Sequence, residues 1–258
     1  MSTKTLITGA STGIGAVYAD RFARRGQDLV LVARDVARME ALAQRLRAAT
    51  GVAIEILPAD LTHDADIERV AARLREDVSI GTLVNNAGAG LGGSFADHAA
   101  AAIARLITLN TTSLALLAHA AASRFATQQR GAIVNIASVV GLMPEFANSV
   151  YGATKAFAIF LSQGLAFELG PKGVYVQAVL PAATRTELWE RAGADLATLP
   201  PMMEAGDLVD AAMAGFDARE AITIPALPDA GLWDAYQAAR LAMLPGFSNT
   251  QAAARYRR

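Results

Sequence analysis

Tyr151-Gly152-Ala153-Thr154-Lys155 sets a phenol and an ammonium four residues apart, a spacing that stacks both on one face of a helix. A free tyrosine titrates near pH ~10, too high for efficient proton exchange at neutral pH, and a nearby cation favours its phenolate. Lys155 would thus activate Tyr151 as an acid/base. Lys4, Lys155 and Lys172 are the only lysines among 23 basic residues, so arginine is the default cation of this chain and a lysine here is a departure from it. Taken alone, such a pair is more often an ordinary surface pair. Ser138 follows the apolar run Ala132 to Ile136, whose end would lie at the carboxyl edge of a sheet, where a hydroxyl can hydrogen-bond a reacting oxygen. A lone serine there is more readily a helix cap or a turn residue.

A second group of residues could hold a cofactor. Thr8-Gly9-Ala10-Ser11-Thr12-Gly13-Ile14-Gly15 directly follows the first strand-like run and opens a helix, the context a dinucleotide fingerprint needs. Gly9 permits the tight turn, Gly13 lets a pyrophosphate approach the backbone, and Gly15 allows close helix packing; Ser11, Thr12 and Ile14 complete the cradle, and the helix N-terminus offers free N–H groups to the anion. Without a ligand the same residues are a glycine-rich turn. The second strand ends Val32-Ala33-Arg34-Asp35. Ala33 stands where an acid would select the free ribose of NAD, and Arg34 suits a 2′-phosphate, so NADP(H) is favoured over NAD(H). Asp35 keeps NAD possible, although its first role is N-cap of the helix beginning at Val36. Asp60 and Leu61 either hold the adenine or form a turn, and the residues alone weigh these evenly.

These groups need elements to place them. Short apolar runs bounded by Gly, Asp or Asn (Thr5–Thr8, Leu29–Ala33, Ile54–Pro58, Leu83–Val84, Ala132–Ile136, Val174–Val179, Ile222–Ile224) alternate with segments of helical period. Continuous apolarity marks strands buried on both faces, and helices between them supply the crossovers that parallel strands require. The expectation is an α/β fold, a single Rossmann-like doubly wound parallel sheet of about seven strands with a short helical substrate cap. One domain over residues 1–258 is expected, with the cap at about 187–220, where Pro200-Pro201 and Met202-Met203 break the rhythm, and a C-terminal segment at 225–258. The predicted helices include Ala99–Gln128 and Val150–Leu169, both long and Ala-rich.

Composition narrows the function classes. With 258 residues, 53% of them hydrophobic, and a net charge of −1, the chain can bury a large core and shows no basic patch for nucleic acid. It has no cysteine and three scattered histidines, so no metal site is expected. The longest apolar stretches, such as Leu114–Ala122, fall well short of the roughly 20 residues of a membrane-spanning helix. The start Ser2-Thr3-Lys4 leaves no room for a signal segment, and a cytoplasmic location is expected.

In combination, these residues resemble the short-chain dehydrogenase/reductase family over about Lys4 to Ile224. The resemblance rests on the loop Thr8 to Gly15, Asp60 after the third strand, Asn85-Asn86-Ala87-Gly88, Asn110, Ser138, and Tyr151 with Lys155, all in order. It implies an oxidoreductase in which Tyr151 protonates a carbonyl oxygen as hydride arrives from the nicotinamide, and Ser138 steadies that oxygen. Lys155 would also grip the nicotinamide ribose, and Asn110 would hold a kink and a water leading from Lys155 to solvent. Asn86, Ala87, Gly88, Pro181, Thr184 and Thr186 join the cofactor set by the same resemblance. One departure stands out: Pro181-Ala182 replaces the family's usual Pro-Gly, which puts the loop on the nicotinamide side in doubt.

Val139, Val140, Leu142, Met143, Phe146, Leu188, Trp189, Met202 and Met203 are candidate lining for an apolar carbonyl or alcohol substrate, or else they pack the cap itself. Arg185 and Glu187 lie close by, and Gly88, Gly90, Gly92 and Gly93 mark a loop expected to move. The long helices carry more apolar surface than one sheet face can cover, so a homodimer or homotetramer is expected. The competing readings are an NAD-dependent alcohol dehydrogenase, a sugar-nucleotide epimerase or dehydratase, and a non-catalytic dinucleotide-binding scaffold. The last normally lacks the Tyr or the Lys, both present here.

Overall fold

The computed structural model describes residues 3–192 and 201–257. It forms two compact units, 1–225 and 226–258.

The first unit is built on strands β1 (Lys4–Thr8), β2 (Asp28–Ala33), β3 (Ile54–Pro58), β4 (Ile80–Asn85), β5 (Gly131–Ile136) and β6 (Val174–Val179). Two bridges follow, β7 (Thr184–Arg185) with β8 (Met203–Glu204), and then the short β9 (Ile222–Thr223). The main sheet runs in the order β3-β2-β1-β4-β5-β6-β9, every neighbouring pair parallel. The chain winds outward from β1 in one direction and resumes at β4 in the other. The switch point between β1 and β4 opens a crevice at their carboxyl ends, where sheets of this kind take ligands.

Successive strand residues face opposite layers, and both layers are apolar. Ile7, Leu29, Leu31, Val84 and Val134 meet α1 (Gly13–Arg24), α2 (Val36–Thr50) and α8 (Ala205–Asp217) on one side. Leu6, Val30, Val32, Leu83 and Ile133 meet α3 (Asp64–Glu76) and α5 (Ser113–Gln128) on the other. The sequence reading counted α8 with the cap; its Leu208, Val209, Ala212 and Met213 are buried in the first of these layers. Residues 193–200 of the expected cap, Pro200 included, lie outside the described residues.

The predicted helix Ala99–Gln128 is in fact α4 (Ala100–Ile107), a π-helical turn at Thr108–Thr112, and α5. By length and composition this whole run could cross a membrane, with a mean hydropathy of 1.4 over its most apolar window. Counting uninterrupted apolar residues misses that, because Ser, Thr, His and Asn punctuate the run. In this fold Leu114, Leu117, Ala118, Ala121 and Phe125 bury its inner face among the core residues of the sheet. The last long helix of the unit is α6 (Ser149–Leu169).

The second unit contains α9 (Ala230–Leu241), capped by the Asp229 carboxylate, which accepts from the Gly231 N–H at 2.8 Å. Trp233 and Tyr236 stack within it, ring centroids 5.4 Å apart.

Candidate active site

The β1–α1 turn needs backbone that only glycine adopts freely, and Gly9 and Gly13 have φ of 65° and 55°. Thr12 at the helix N-cap makes no side-chain capping bond, and no acid occupies the first turn. The orphan N–H groups of α1 are thus left for an anion, which is the fit that a dinucleotide pyrophosphate demands. The Asn86 amide clamps this loop from β4, donating to Thr8 O at 2.9 Å and Gly9 O at 3.3 Å. Thr8 Oγ1 accepts from the N–H groups of Asn86 and Ala87 at 3.0 and 2.9 Å. Thr8, the first residue of the fingerprint, therefore ties the first strand to the Asn86-Ala87 turn, and Asn86 is first of all a loop clamp.

At the tip of β2, Asp35 caps α2 by accepting from the Arg38 N–H at 3.0 Å, as its sequence context suggested. That commitment leaves Arg34, with 69% of its side chain exposed, beside the expected ribose position, its closest acid being Asp60 at 3.8 Å. Asp60 Oδ1 accepts from the N–H and the hydroxyl of Thr62 at 3.0 and 2.8 Å, so its turn role is realised. Against the upward push of partial burial, those bonds together with Arg34 and His63 hold its carboxyl below the usual range.

The chemistry-bearing residues converge at the carboxyl edge. Tyr151 and Lys155 lie on one face of α6, with Lys155 Nζ 5.7 Å from the Tyr151 ring centroid. Gly141 lets the segment after β5 press against this helix: a Cβ there would come within 2.6 Å of Ala156 N and 2.7 Å of the Lys155 carbonyl carbon. Ser138, at the start of that segment, caps Val140 N at 3.2 Å, donates to Pro181 O at 3.2 Å, and also hydrogen-bonds Tyr151. It is a cap and a site residue at once.

Electrostatics here depart from the sequence expectation. Burial pushes the Tyr151 phenol above its ordinary range, with the Ser138 bond opposing the shift. Burial likewise pushes Lys155 down to about 8, and its Nζ donates to Ile136 O at 2.9 Å. Desolvation, which penalises the charged form of either group, outweighs the activating charge pair that spacing alone suggests. Burial thus shifts both groups toward their neutral forms.

Asn110 sits in the π-turn, where the widened helix turns its side chain inward. Its Oδ1 accepts from Ala89 N and its Nδ2 donates to Ala89 O, both at 3.0 Å. Nδ2 also donates to Thr154 Oγ1 at 3.0 Å, and that hydroxyl donates to Tyr151 O at 2.7 Å. Thr154, inside the Tyr-to-Lys spacing yet unremarked from sequence, thus couples the Gly88 loop to α6. Buried Asn85, Asn135 and Ser162 form a similar amide chain beneath the site.

Pro181, whose carbonyl accepts from Ser138, and Thr184 are buried, with Thr184 Oγ1 donating to Ala182 O at 2.9 Å. Ala182 does not adopt positive φ, so the loop follows a path that needs no glycine there. Thr186 abuts the glycine loop: a Cβ on Gly13 would lie 3.2 Å from its Cγ2. Beyond it, α7 (Leu188–Arg191) leans on the Gly90 turn, where a Cβ would meet Ala192 Cβ at 3.2 Å and Leu188 Cδ2 at 3.5 Å. Of the apolar lining candidates, Met203 packs on the core, whereas Met143 and Phe146 are 50% and 59% exposed. Trp189 is fixed by donation of Nε1 to Thr184 O at 2.7 Å.

Known proteins share this fold. The short chain dehydrogenase family matches residues 3–197. A short-chain dehydrogenase from Sphingobium yanoikuyae, solved with NADPH, is 61% identical and superposes with a TM-score of 0.97 over 99% of this chain and 100% of its own. The bulky-bulky ketone specific alcohol dehydrogenase from Comamonas testosteroni is 54% identical, TM-score 0.92, over 98% of each chain. Human 17-beta-hydroxysteroid dehydrogenase type 3 is 35% identical over 185 residues, 71% of this chain, which spans only 59% of that relative's length. With its parallel seven-stranded sheet, glycine loop and Ser138–Tyr151–Lys155 cluster, the chain belongs to the short-chain dehydrogenase family and is an oxidoreductase.

Proposed function

We propose that the chain is an NADPH-preferring reductase of bulky apolar ketones and aldehydes, running as an alcohol dehydrogenase in reverse, with Tyr151 as its acid/base. The geometry that carries this reading is Tyr151 and Lys155 on one face of α6 beside Ser138 at one end of the crevice, and Arg34, with Asp35 turned away to cap α2, at the other. When bound, the reduced nicotinamide supplies hydride to the carbonyl carbon. Ser138, turning its one hydroxyl proton from Pro181 O, donates a hydrogen bond to the carbonyl oxygen and stabilises the charge that develops there. Tyr151 delivers its phenolic proton to that oxygen, and Lys155, titrating near 8, returns a proton to the phenolate. Asn110 holds the Gly88 loop and α6 in register throughout. Asp60 and Leu61 receive the adenine, while Pro181, Thr184 and Thr186 flank the nicotinamide and pyrophosphate.

The substrate reading draws on Val140, Leu142, Met143, Phe146, Leu188 and Trp189, which bring no charge to the acceptor side, and on the bulky ketones named for the Comamonas relative. Phe157, Phe160 and Phe167 form an exposed stripe on α6, which supports a homo-oligomer. A cytoplasmic location belongs to the same proposal. Titrating NADPH and NADH fluorescence against wild type and Arg34→Ala tests the cofactor assignment. NADPH should bind much more tightly, and Arg34→Ala should remove that preference; equal or tighter NADH binding would move the reading to NAD-dependent alcohol oxidation.

A further inference from the structure

One ion pair near the crevice has no part in the chemistry above. Arg38 stands one turn into α2, four residues beyond Arg34. Its Nη1 donates to both carboxylate oxygens of Glu187, at 2.8 and 2.7 Å, while its Nε lies 3.4 Å from Asp35 Oδ2. Glu187 also accepts from Arg191 Nη2 at 2.6 Å. It sits directly between Thr186, which touches the glycine loop, and Leu188, which leans on the Gly90 turn. The pair therefore ties the adenosine end of the crevice to the root of the cap.

Charge decides how this pair behaves when a cofactor arrives. Arg38 and Glu187 are 47% and 40% exposed, and an ion pair so open to water is weak. A 2′-phosphate carries about −1.5 to −2 charges, which Arg34 alone does not neutralise, and a guanidinium binds it through strong paired hydrogen bonds. Glu187 can let Arg38 go without being left unpaired, because Arg191 remains to it.

Resting on the NADPH reading above, we propose that Glu187 is a positioning residue that sets cofactor discrimination by competing with the 2′-phosphate for Arg38. On binding, Arg38 turns from Glu187 to join Arg34 on the phosphate. On release, Glu187 recaptures Arg38 and hastens departure. NADH, lacking the phosphate, leaves the pair undisturbed.

Dissociation constants of NADPH, NADH and 2′,5′-ADP on the full chain test this, using wild type, Arg38→Ala, Glu187→Gln and the double variant. Arg38→Ala should weaken NADPH and 2′,5′-ADP by about tenfold, the scale of a charge-assisted hydrogen bond, with NADH unchanged. Glu187→Gln should tighten the two phosphate-bearing ligands about two- to fivefold, the scale of an exposed ion pair, and slow NADPH release to match. In the Arg38→Ala background the same change should do nothing. A structural role for Glu187 would move NADH and NADPH alike, and that result overturns the proposal. If Arg34→Ala weakens 2′,5′-ADP but Arg38→Ala does not, this inference falls and the cofactor reading stands. If wild type binds neither phosphate-bearing ligand, both fall together.

Discussion

Lys155 is a residue whose place in the site costs the fold stability. Its amine is buried with a pKa near 8 rather than the ordinary 10.5, so the unfolded chain binds more protons between those values. The contribution of Lys155 to stability is therefore lost as pH falls through 8 and recovered as pH rises toward 10.5. At neutral pH the penalty is roughly 3 kcal/mol at most. Lys155→Met should accordingly raise Tm by several degrees at pH 7, raise it less at pH 9.5, and abolish turnover; thermal melts at the two pH values with an activity assay check all three. Tyr151 has the opposite sense. Its phenol is raised by burial and lowered by Ser138, so ketone reduction should slow as Lys155 loses its proton near 8 and show a second falling limb, set by Tyr151, above the ordinary tyrosine range. Ser138→Ala should push that falling limb still higher and cut kcat by about 10²-fold, as read from pH–rate profiles. At this scale Asn110 was legible only through the family resemblance, Ser138 from its place after the fifth strand, and Tyr151 with Lys155 from residue type and spacing. The direction of their titration was not, because burial cannot be counted along a sequence.

At the scale of elements, the catalytic geometry depends on the π-turn at Thr108–Thr112 and on Thr154, which passes the hold of Asn110 on to Tyr151. Thr154→Val removes that hydroxyl while keeping the shape, leaving the Asn110 amide short of a partner and the Tyr151 carbonyl without its side-chain donor. The cost should be about 1–3 kcal/mol in denaturant unfolding, with a fall in kcat larger than any rise in KM, while Thr154→Ser restores both. The buried strands could be read because apolar runs flanked by turn residues have few other uses. The π-turn leaves no mark in apolar periodicity; only the family resemblance placed a kink at Asn110, whose side chain bonds Ala89 more than twenty residues upstream. The bridges β7 and β8 span two residues each and carry no periodic signal at all.

For the whole molecule, the unspent surface matters most. Phe160 and Phe167 are 79% and 77% exposed on one stripe of α6, with Phe157 and Gly164 between and beside them. Such a stripe is costly in water and suits a second copy of this chain. Phe160→Glu with Phe167→Glu should shift the protein toward monomer in light scattering, with the melt of the isolated chain little changed. The central claim is the chemistry at Tyr151.

That claim is tested most directly by following NADPH oxidation with a bulky aryl ketone for wild type and Tyr151→Phe, after confirming that both bind NADPH equally. Loss of about 10²- to 10⁴-fold in kcat with cofactor binding intact is the predicted result, the scale of a positioned acid. Turnover by Tyr151→Phe within a few-fold of wild type would contradict the account.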